Sequence, residues 1–351
     1  MGPKHRMVDQ DARLELLQGW LSSELRIRPQ HIEPASSDAS FRRYFRAFCA
    51  AGTYVVMDAP PGREDVRPYL RVSEMLEPLG IHVPHVYEAD VERGLLLLED
   101  LGRTPYLARL AEPGAEEGLY ADALEALVTL QLEGGEAAAQ LAPYDRTALK
   151  REMDLMPEWF LVRHLGLDPT AAERQMLEAS FDWLIGEALG QPQVFVHRDY
   201  HSRNLMVTAE GNPGVLDFQD ALRGPVGYDL VSLLKDCYIA WPRERVLGWV
   251  DGYRARLAAR GGPAGEDAQE FRRWFDLIGV QRHLKVLGIF ARLWHRDGKS
   301  GYLADLPLTL RYVCEACGCY AQLRPLGELL AGRVAAELPR ANARAVAGRA
   351  G

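Results

Sequence analysis

Cysteine is scarce: five in 351 residues, an odd number and scattered, which excludes a disulfide scaffold and points to reduced thiols. An excess of positive charge is missing as well. The balance of 41 basic against 49 acidic residues leaves −8. That excludes a surface built mainly to grip phosphate backbones, while leaving room for a local basic pocket. No apolar run approaches the ~18 residues a membrane span requires; one of the longest, at Leu95–Leu98, stops at Glu99. Residues 1–10 carry no apolar signal segment. Together these absences predict a cytoplasmic protein with no membrane, nucleic-acid or obligate protein partner.

Cys314, Cys317 and Cys319 form a C-x-x-C-x-C cluster without a histidine nearby. A zinc site would need a fourth ligand, and the apolar surroundings from 311 to 323 predict small buried helix residues instead. What is present is ordinary for a globular chain: 48% hydrophobic and 26% charged residues. The length suggests about two domains at ~150 residues each.

Residues 1–99 read as a small mixed unit. Strands are expected at 31–35, 41–48, 53–58, 86–90 and 94–98. One helix is expected at 65–79, where Tyr69, Val72, Met75, Leu76 and Leu79 share a stripe and Gly80 supplies the stop. Beyond residue 100 the periodicity turns helical, over 116–132, 145–165, 171–189 and from 228 onward. Short apolar strands interrupt it at 194–196 and 215–216. The last stretch, 331–351, is rich in Ala and Arg and predicts a frayed tail. The pattern gives a mixed α/β (α+β) chain divided into 1–99, 100–330 and that tail.

The most informative segment runs His197-Arg198-Asp199-Tyr200-His201-Ser202-Arg203-Asn204 and leaves a short strand. It matches the kinase catalytic-loop pattern, H-R-D, four residues, then Asn. A second acid, Asp217, ends a second short strand thirteen residues later. Phosphoryl transfer needs a carboxylate beside the acceptor hydroxyl and hard oxygen ligands for Mg²⁺. Asp199, Asn204 and Asp217 supply both, in order and at the right spacing. Any one of them alone would read as a turn cap or loop punctuation; the three together outweigh that reading. His197 is expected to brace the loop backbone rather than move protons.

From about Ala35 to Leu308 the chain resembles the aminoglycoside-phosphotransferase-like branch of the kinase fold. Within that branch it is most similar to the bacterial kinases that phosphorylate amino sugars at the anomeric carbon during peptidoglycan recycling. The strings that carry this are Ser36 to Arg46, Met57 to Pro61, His197 to Met206, Leu216 to Asp220, Gly224 to Tyr238 and Gln281 to Leu293. The resemblance implies a two-lobed protein-kinase-like fold, with a β-rich N-lobe, a larger helical C-lobe and ATP between them. It implies ATP- and Mg²⁺-dependent phosphorylation of the C1 hydroxyl of N-acetylmuramate and N-acetylglucosamine, feeding cell-wall nucleotide-sugar synthesis. Two alternatives stay open: another small hydroxyl compound, such as an aminoglycoside, as acceptor, or an inactive ATP-binding regulator.

Carried over by motif, Asp199 is the catalytic base, and Asn204 and Asp217 are the Mg²⁺ ligands. Leu98 to Leu101 is the hinge, where backbone at Glu99 and Leu101 reads adenine. Ser36, Ser37 and Ser40 stand where kinases carry a glycine-rich phosphate loop, yet no glycine is present; small side chains and hydroxyl donors take its place. The strand 54–58 also lacks the usual lysine, so Glu74 in the following helix has no such partner. Arg42, Arg43 or Arg46 supplies the charge instead, with Arg43 assigned to ATP.

For the acceptor, Gln281, Lys285, Gly288, Arg292 and His295 fall on one helical stripe, read either as an anion-binding face or as a solvated one. Arg292 is the cation assigned to an acidic sugar. Glu158 and Trp159 are read as contacts to a sugar ring or as core, and His201 and Arg203 as loop residues facing the acceptor. Asp229 is read as a helix cap.

Overall fold

The computed structural model describes residues 12–37 and 41–347. Ser40, one of the expected phosphate contacts, lies outside them. The chain divides into two compact units, Met1–Thr104 with Met206–Asp220, and Pro105–Leu205 with Ala221–Gly351. The boundary thus falls at Thr104 rather than Glu99, and the segment carrying Asp217 belongs to the first unit.

In the first unit, β1 (His31–Ser37), β2 (Arg43–Cys49), β3 (Gly52–Asp58), β4 (Val86–Asp90) and β5 (Leu95–Glu99) form an antiparallel sheet in the order β1-β2-β3-β5-β4. The apolar run of β5 is explained by its interior position. Leu95 and Leu97 join Phe45, Ala47 and Val56 against Leu17, Trp20 and Leu21 of the N-terminal helical segment. Met57, Leu96 and Leu98 are buried too, so β5 is apolar on both faces. The helix Arg67–Leu76 buries Tyr69, Val72 and Leu76, as the stripe predicts; a short 3₁₀ turn then ends at Gly80, whose φ of 72° is the left-handed stop.

The second unit is built around the 30-residue helix Ala268–Asp297. Asp267 caps its first turn by accepting the N–H groups of Gln269 and Glu270 at 2.8 and 2.9 Å. Every position from Phe275 to Gly288 is buried, charged ones included, which marks a central helix rather than an amphipathic surface one. The expected helix 145–165 is two pieces, Arg146–Met153 and Met156–Leu165. Pro157 explains the break, since it lacks an N–H and its ring crowds the carbonyl four residues earlier. Helix Ala171–Gly190 opens on a Thr170/Glu173 capping box. β6 (Gln193–Val196) pairs antiparallel with a strand that periodicity did not reveal, β9 (Leu222–Pro225); β7 (Leu205–Met206) and β8 (Gly214–Val215) are two-residue strands.

Through Ala347, where the described residues end, the expected frayed tail is helical instead. Residues Ala335–Ala347 are helical, with Leu338 and Ala341 buried. Asn342 ties them down by donating to the Leu303 carbonyl at 3.1 Å and pairing with His164 at 2.8 Å. Cys314 and Cys317 lie on helix Leu306–Cys317; Cys317 packs against Gly327, and burial pushes its thiol up to about 12. Among the described residues, no helix is long and apolar enough to cross a membrane.

Candidate active site

The segment after β6 is held from three directions by buried carboxylates of the second unit. Asp229 accepts the backbone N–H groups of His197 at 2.6 Å and Arg198 at 2.9 Å, one on each carboxylate oxygen. It is fully buried. Burial pushes its pKa up to about 7, against the pull of the two amides. The sequence reading of Asp229 as a helix cap is corrected: helix Tyr228–Leu234 has no side-chain cap, and the carboxylate serves the loop. Asp236 accepts the N–H of Ser202 at 3.0 Å together with its hydroxyl. Glu152 takes the Arg198 guanidinium, the Tyr144 hydroxyl and, at 3.2 Å, the Lys285 ammonium.

These ties fix an otherwise unfavourable backbone. Arg198 sits at φ 79°, a left-handed conformation that costs a non-glycine residue about 1–2 kcal/mol. The turn aims the next residue, Asp199, out of the strand. His197 is fully buried and its Nδ1 accepts the Asp199 N–H at 3.2 Å, so it braces the loop. Asn204 donates its side-chain N–H to the Asp199 carbonyl at 3.0 Å. Burial pushes the Asp199 carboxyl up, but Lys285, His201, Arg198 and Arg282 outweigh it and hold the group below the usual carboxylate range. It is therefore an anion at neutral pH.

The basic stripe on the long helix turns inward from Gln281 to Gly288, is half-buried at Arg292 and is exposed at His295. Gln281 is fully buried and donates to the Tyr144 hydroxyl at 3.2 Å. Lys285 pairs with Glu152 and reaches the Tyr228 hydroxyl at 3.1 Å. A Cβ on Gly288 would lie 2.4 Å from the Leu155 backbone, so this glycine admits a crossing segment, not a ligand. His295 meets His164 at 3.3 Å. Arg292 is half-buried, and burial lowers its pKa, with Arg296 adding to the effect. Glu158 is exposed and paired with Arg163 at 3.1 Å, and Arg163 covers the Trp159 ring at 4.0 Å. His201 stands edge-on to Tyr238, with ring centroids 5.5 Å apart.

In the first unit, the three arginines of the 42–46 segment separate cleanly. Arg46 makes a bidentate pair with Asp100 at 2.7 and 2.9 Å and donates to the Gly102 carbonyl at 2.6 Å. Arg43 is paired, with Arg13, to the fully buried Asp58. Arg42 meets Asp217, at 3.3 Å. Asp217, at φ 62°, also accepts from Gln219 at 2.7 Å, and Phe218 beside it packs on Tyr69 at 4.6 Å. At the expected hinge, the Glu99 N–H donates to the His85 carbonyl at 2.9 Å and its carboxylate accepts from the His85 N–H at 3.2 Å; that amide is already used. Leu101 is buried. Ser36 and Ser37 pair with Tyr44 and Arg43 across β1 and β2, past a register shift at Pro34/Ser36. Glu74 is exposed.

Sequence reasoning missed Glu152 and Asp236, because lone acids in helical or loop context carry no spacing signal. It also misplaced Asp229, whose position near a helix start suggested a cap.

Comparison with known proteins adds to this geometry. The profile described as "Phosphotransferase enzyme family" matches residues 31–274. A protein of Pseudomonas aeruginosa named N-acetylmuramate/N-acetylglucosamine kinase is 46% identical over 334 residues, covering 92% of this chain and 98% of that relative. A protein of the same name from Neisseria meningitidis is 46% identical over 318 residues, with 90% and 94% coverage. One from Caulobacter vibrioides is 32% identical over 336 residues, with 83% and 90% coverage. Among solved structures, choline kinase LicA from Streptococcus pneumoniae superposes with a TM-score of 0.57 at 14% identity, covering 86% of this chain and 98% of that one. The ADP-bound aminoglycoside phosphotransferase APH(2'')-Ib gives 0.55 at 16%, with 87% and 98% coverage. At such identities these two speak to the fold alone.

Proposed function

The chain belongs to the phosphotransferase enzyme family, and on that premise we propose that it moves the γ-phosphoryl group of ATP onto the anomeric hydroxyl of N-acetylmuramate and N-acetylglucosamine. The observation that carries the reading is the catalytic loop of the second unit. Asp229 grips two successive amides, and Asp199 follows as an anion beside Lys285 and Arg198. The kinship to relatives named for these two sugars supplies the acceptor.

In this proposal Asp199 accepts a hydrogen bond from the C1 hydroxyl, orients its lone pair toward phosphorus and takes its proton late. A low pKa suits this task, because an anomeric hydroxyl is more acidic than an ordinary alcohol and needs little basicity to lose its proton. The proton leaves the sugar for the carboxylate as the C1 oxygen bonds to phosphorus, and ADP departs. The product is a sugar 1-phosphate, fit for nucleotide-sugar synthesis.

Mg²⁺ fits the donors that the sequence offers, an amide oxygen at Asn204 and a carboxylate at Asp217, both hard oxygen ligands. The Asn204 amide donates to the Asp199 carbonyl, so this side chain is tied to the residue read as the base. The ion would neutralise phosphate charge. Arg42, beside Asp217, would take the role of the missing strand lysine as a cation for the phosphates. Arg43 and Arg46, engaged by Asp58 and Asp100, serve the fold.

The test is a panel of acceptors with ATP and Mg²⁺, read by ADP release and phosphorus NMR. Both sugars should give 1-phosphates. The methyl glycoside of N-acetylglucosamine, blocked at C1 and free at C6, should be inert; its robust turnover would overturn the anomeric assignment.

A further inference from the structure

We propose that Arg203 is the receptor for the lactyl carboxylate of N-acetylmuramate and thereby sets the preference between the two acceptor sugars. The inference rests on the acceptor reading above and adds a specificity determinant to it. Arg203 lies in the catalytic loop, four residues beyond Asp199 and next to Asn204, and is exposed. Among the described residues of the second unit it forms no ion pair.

Its orientation is nonetheless fixed. The guanidinium carbon stands 3.5 Å over the Tyr238 ring and 5.8 Å from the Tyr302 ring. Stacking uses the flat face of the guanidinium and leaves its N–H edges for a planar bidentate acceptor, the geometry of a carboxylate. The stacking platform is itself anchored. Asp236, which holds the Ser202 amide, also accepts the Tyr238 N–H at 3.0 Å. Phe290 backs the aromatic pair, 6.2 Å from Tyr238 and 5.1 Å from Tyr302. One buried carboxylate thus couples the catalytic loop to the ring beneath Arg203.

The surrounding charges do not cancel this cation. Of the nearby acids, Asp236 is engaged by Ser202 and the Tyr238 N–H, and burial pushes Asp305 up to about 6 despite the pull of Arg203; a carboxylate in a close pair would sit below its ordinary value instead. His201, edge-on to Tyr238, keeps a buried Nδ1 without a partner. Arg292, the cation suggested by helical spacing, is the weaker candidate. It is half-buried, its pKa is lowered, and it belongs to the long helix rather than to the loop.

The lactyl group is the one charge that separates the two sugars, so the ratio of their kcat/KM values isolates the contact. In Arg203→Met the ratio of N-acetylmuramate to N-acetylglucosamine should fall about 10–100-fold, the range for losing one charge-assisted pair. Arg203→Lys should give an intermediate ratio. The methyl ester of N-acetylmuramate, which lacks the charge, should be indifferent to Arg203→Met relative to N-acetylglucosamine. A ratio unchanged within about threefold in Arg203→Met, or a selective fall in Arg292→Met instead, overturns the inference. If wild-type protein turns over neither sugar, the acceptor reading itself fails, which is a different and distinguishable result.

Discussion

Replacing Glu152 by Gln should destabilise the second unit strongly while changing no volume. Glu152 and Lys285 are 8% and 9% exposed at the side chain and Arg198 is 22% exposed, so the network is largely cut off from water. Glutamine keeps an acceptor oxygen but removes the anion, leaving two largely buried cations with the Asp199 carboxylate as their remaining counter-charge. Removing one partner of a buried pair costs about 3–5 kcal/mol; partial exposure of Arg198 and the retained oxygen put this case at the low end, about 3 kcal/mol. At roughly 2–4 °C per kcal/mol for a unit of this size, the melting midpoint should drop by roughly 6–12 °C. Circular dichroism at pH 7.5 reads it directly. The pH dependence gives a second check. Burial raises the Glu152 pKa, but Lys285 and Arg198 outweigh it and the net value is lowered. A carboxyl lowered on folding contributes stability above its unfolded value, near 4.3, and loses it as the pH falls through the folded one. The gap between wild type and variant should therefore persist from pH 8 to about 5 and close only below about 4. A midpoint within about 2 °C of wild type at pH 7.5, or a gap unchanged at pH 3, would refute the reasoning.

Asp199→Asn should keep the fold and ATP affinity and lower kcat on the order of 10²–10⁴-fold, measured by steady-state turnover of the purified variant. Asp217→Ala should weaken Mg²⁺-dependent ATP binding while adenosine binding persists, and calorimetry at several Mg²⁺ concentrations separates the two. Arg42→Ala should raise the KM for ATP about 10-fold or more with a near-native melting midpoint. Arg46→Ala should do the opposite, since it strips Asp100 of its bidentate partner: a midpoint several degrees lower and a KM little changed.

How far the sequence could be read depended on how local each signal was. The alternation and apolar runs of 31–99 located all five strands of the first sheet within two residues, because burial within a strand is written into neighbouring positions, most plainly in the apolar run of the interior strand β5. The stop at Gly80 was equally local. β9 escaped because Leu222-Arg223-Gly224-Pro225 has neither alternation nor β-branched residues; it is a strand only because β6 lies beside it. The tail misled because alanine and arginine suggest little burial, yet Leu338 and Ala341 suffice to seat a helix when Asn342 fastens it. The basic stripe misled in a more instructive way. Helical spacing correctly put Gln281, Lys285, Gly288, Arg292 and His295 on one face, but spacing cannot say whether that face meets water or another helix. Gly288 decides it, because its missing side chain is filled by Leu155.

The same distinction governs the catalytic loop. The motif from His197 to Asn204 names the atoms suited to chemistry, and those are legible because they fall within eight positions. What holds them is written elsewhere. Glu152 lies 46 residues from Arg198, Asp229 lies 32 from His197, and Asp236 lies 34 from Ser202. Fixing a loop residue costs about 1–2 kcal/mol of backbone entropy, and Arg198 adds the penalty of a left-handed conformation. A local pattern cannot offset that sum, since a loop has no ladder of its own. Buried carboxylates can, because each accepts two or more N–H or O–H groups in a low-dielectric interior where such bonds are strongest. Their number also explains the placement of Lys285 and Arg198. Glu152 needs cations for its own burial, and those same cations hold Asp199 as an anion. The group that anchors the loop and the charges that set its acid are therefore one network. A sequence change that keeps the H-R-D-x-x-x-x-N motif but removes Glu152 should yield a chain that looks like a kinase and does not act as one.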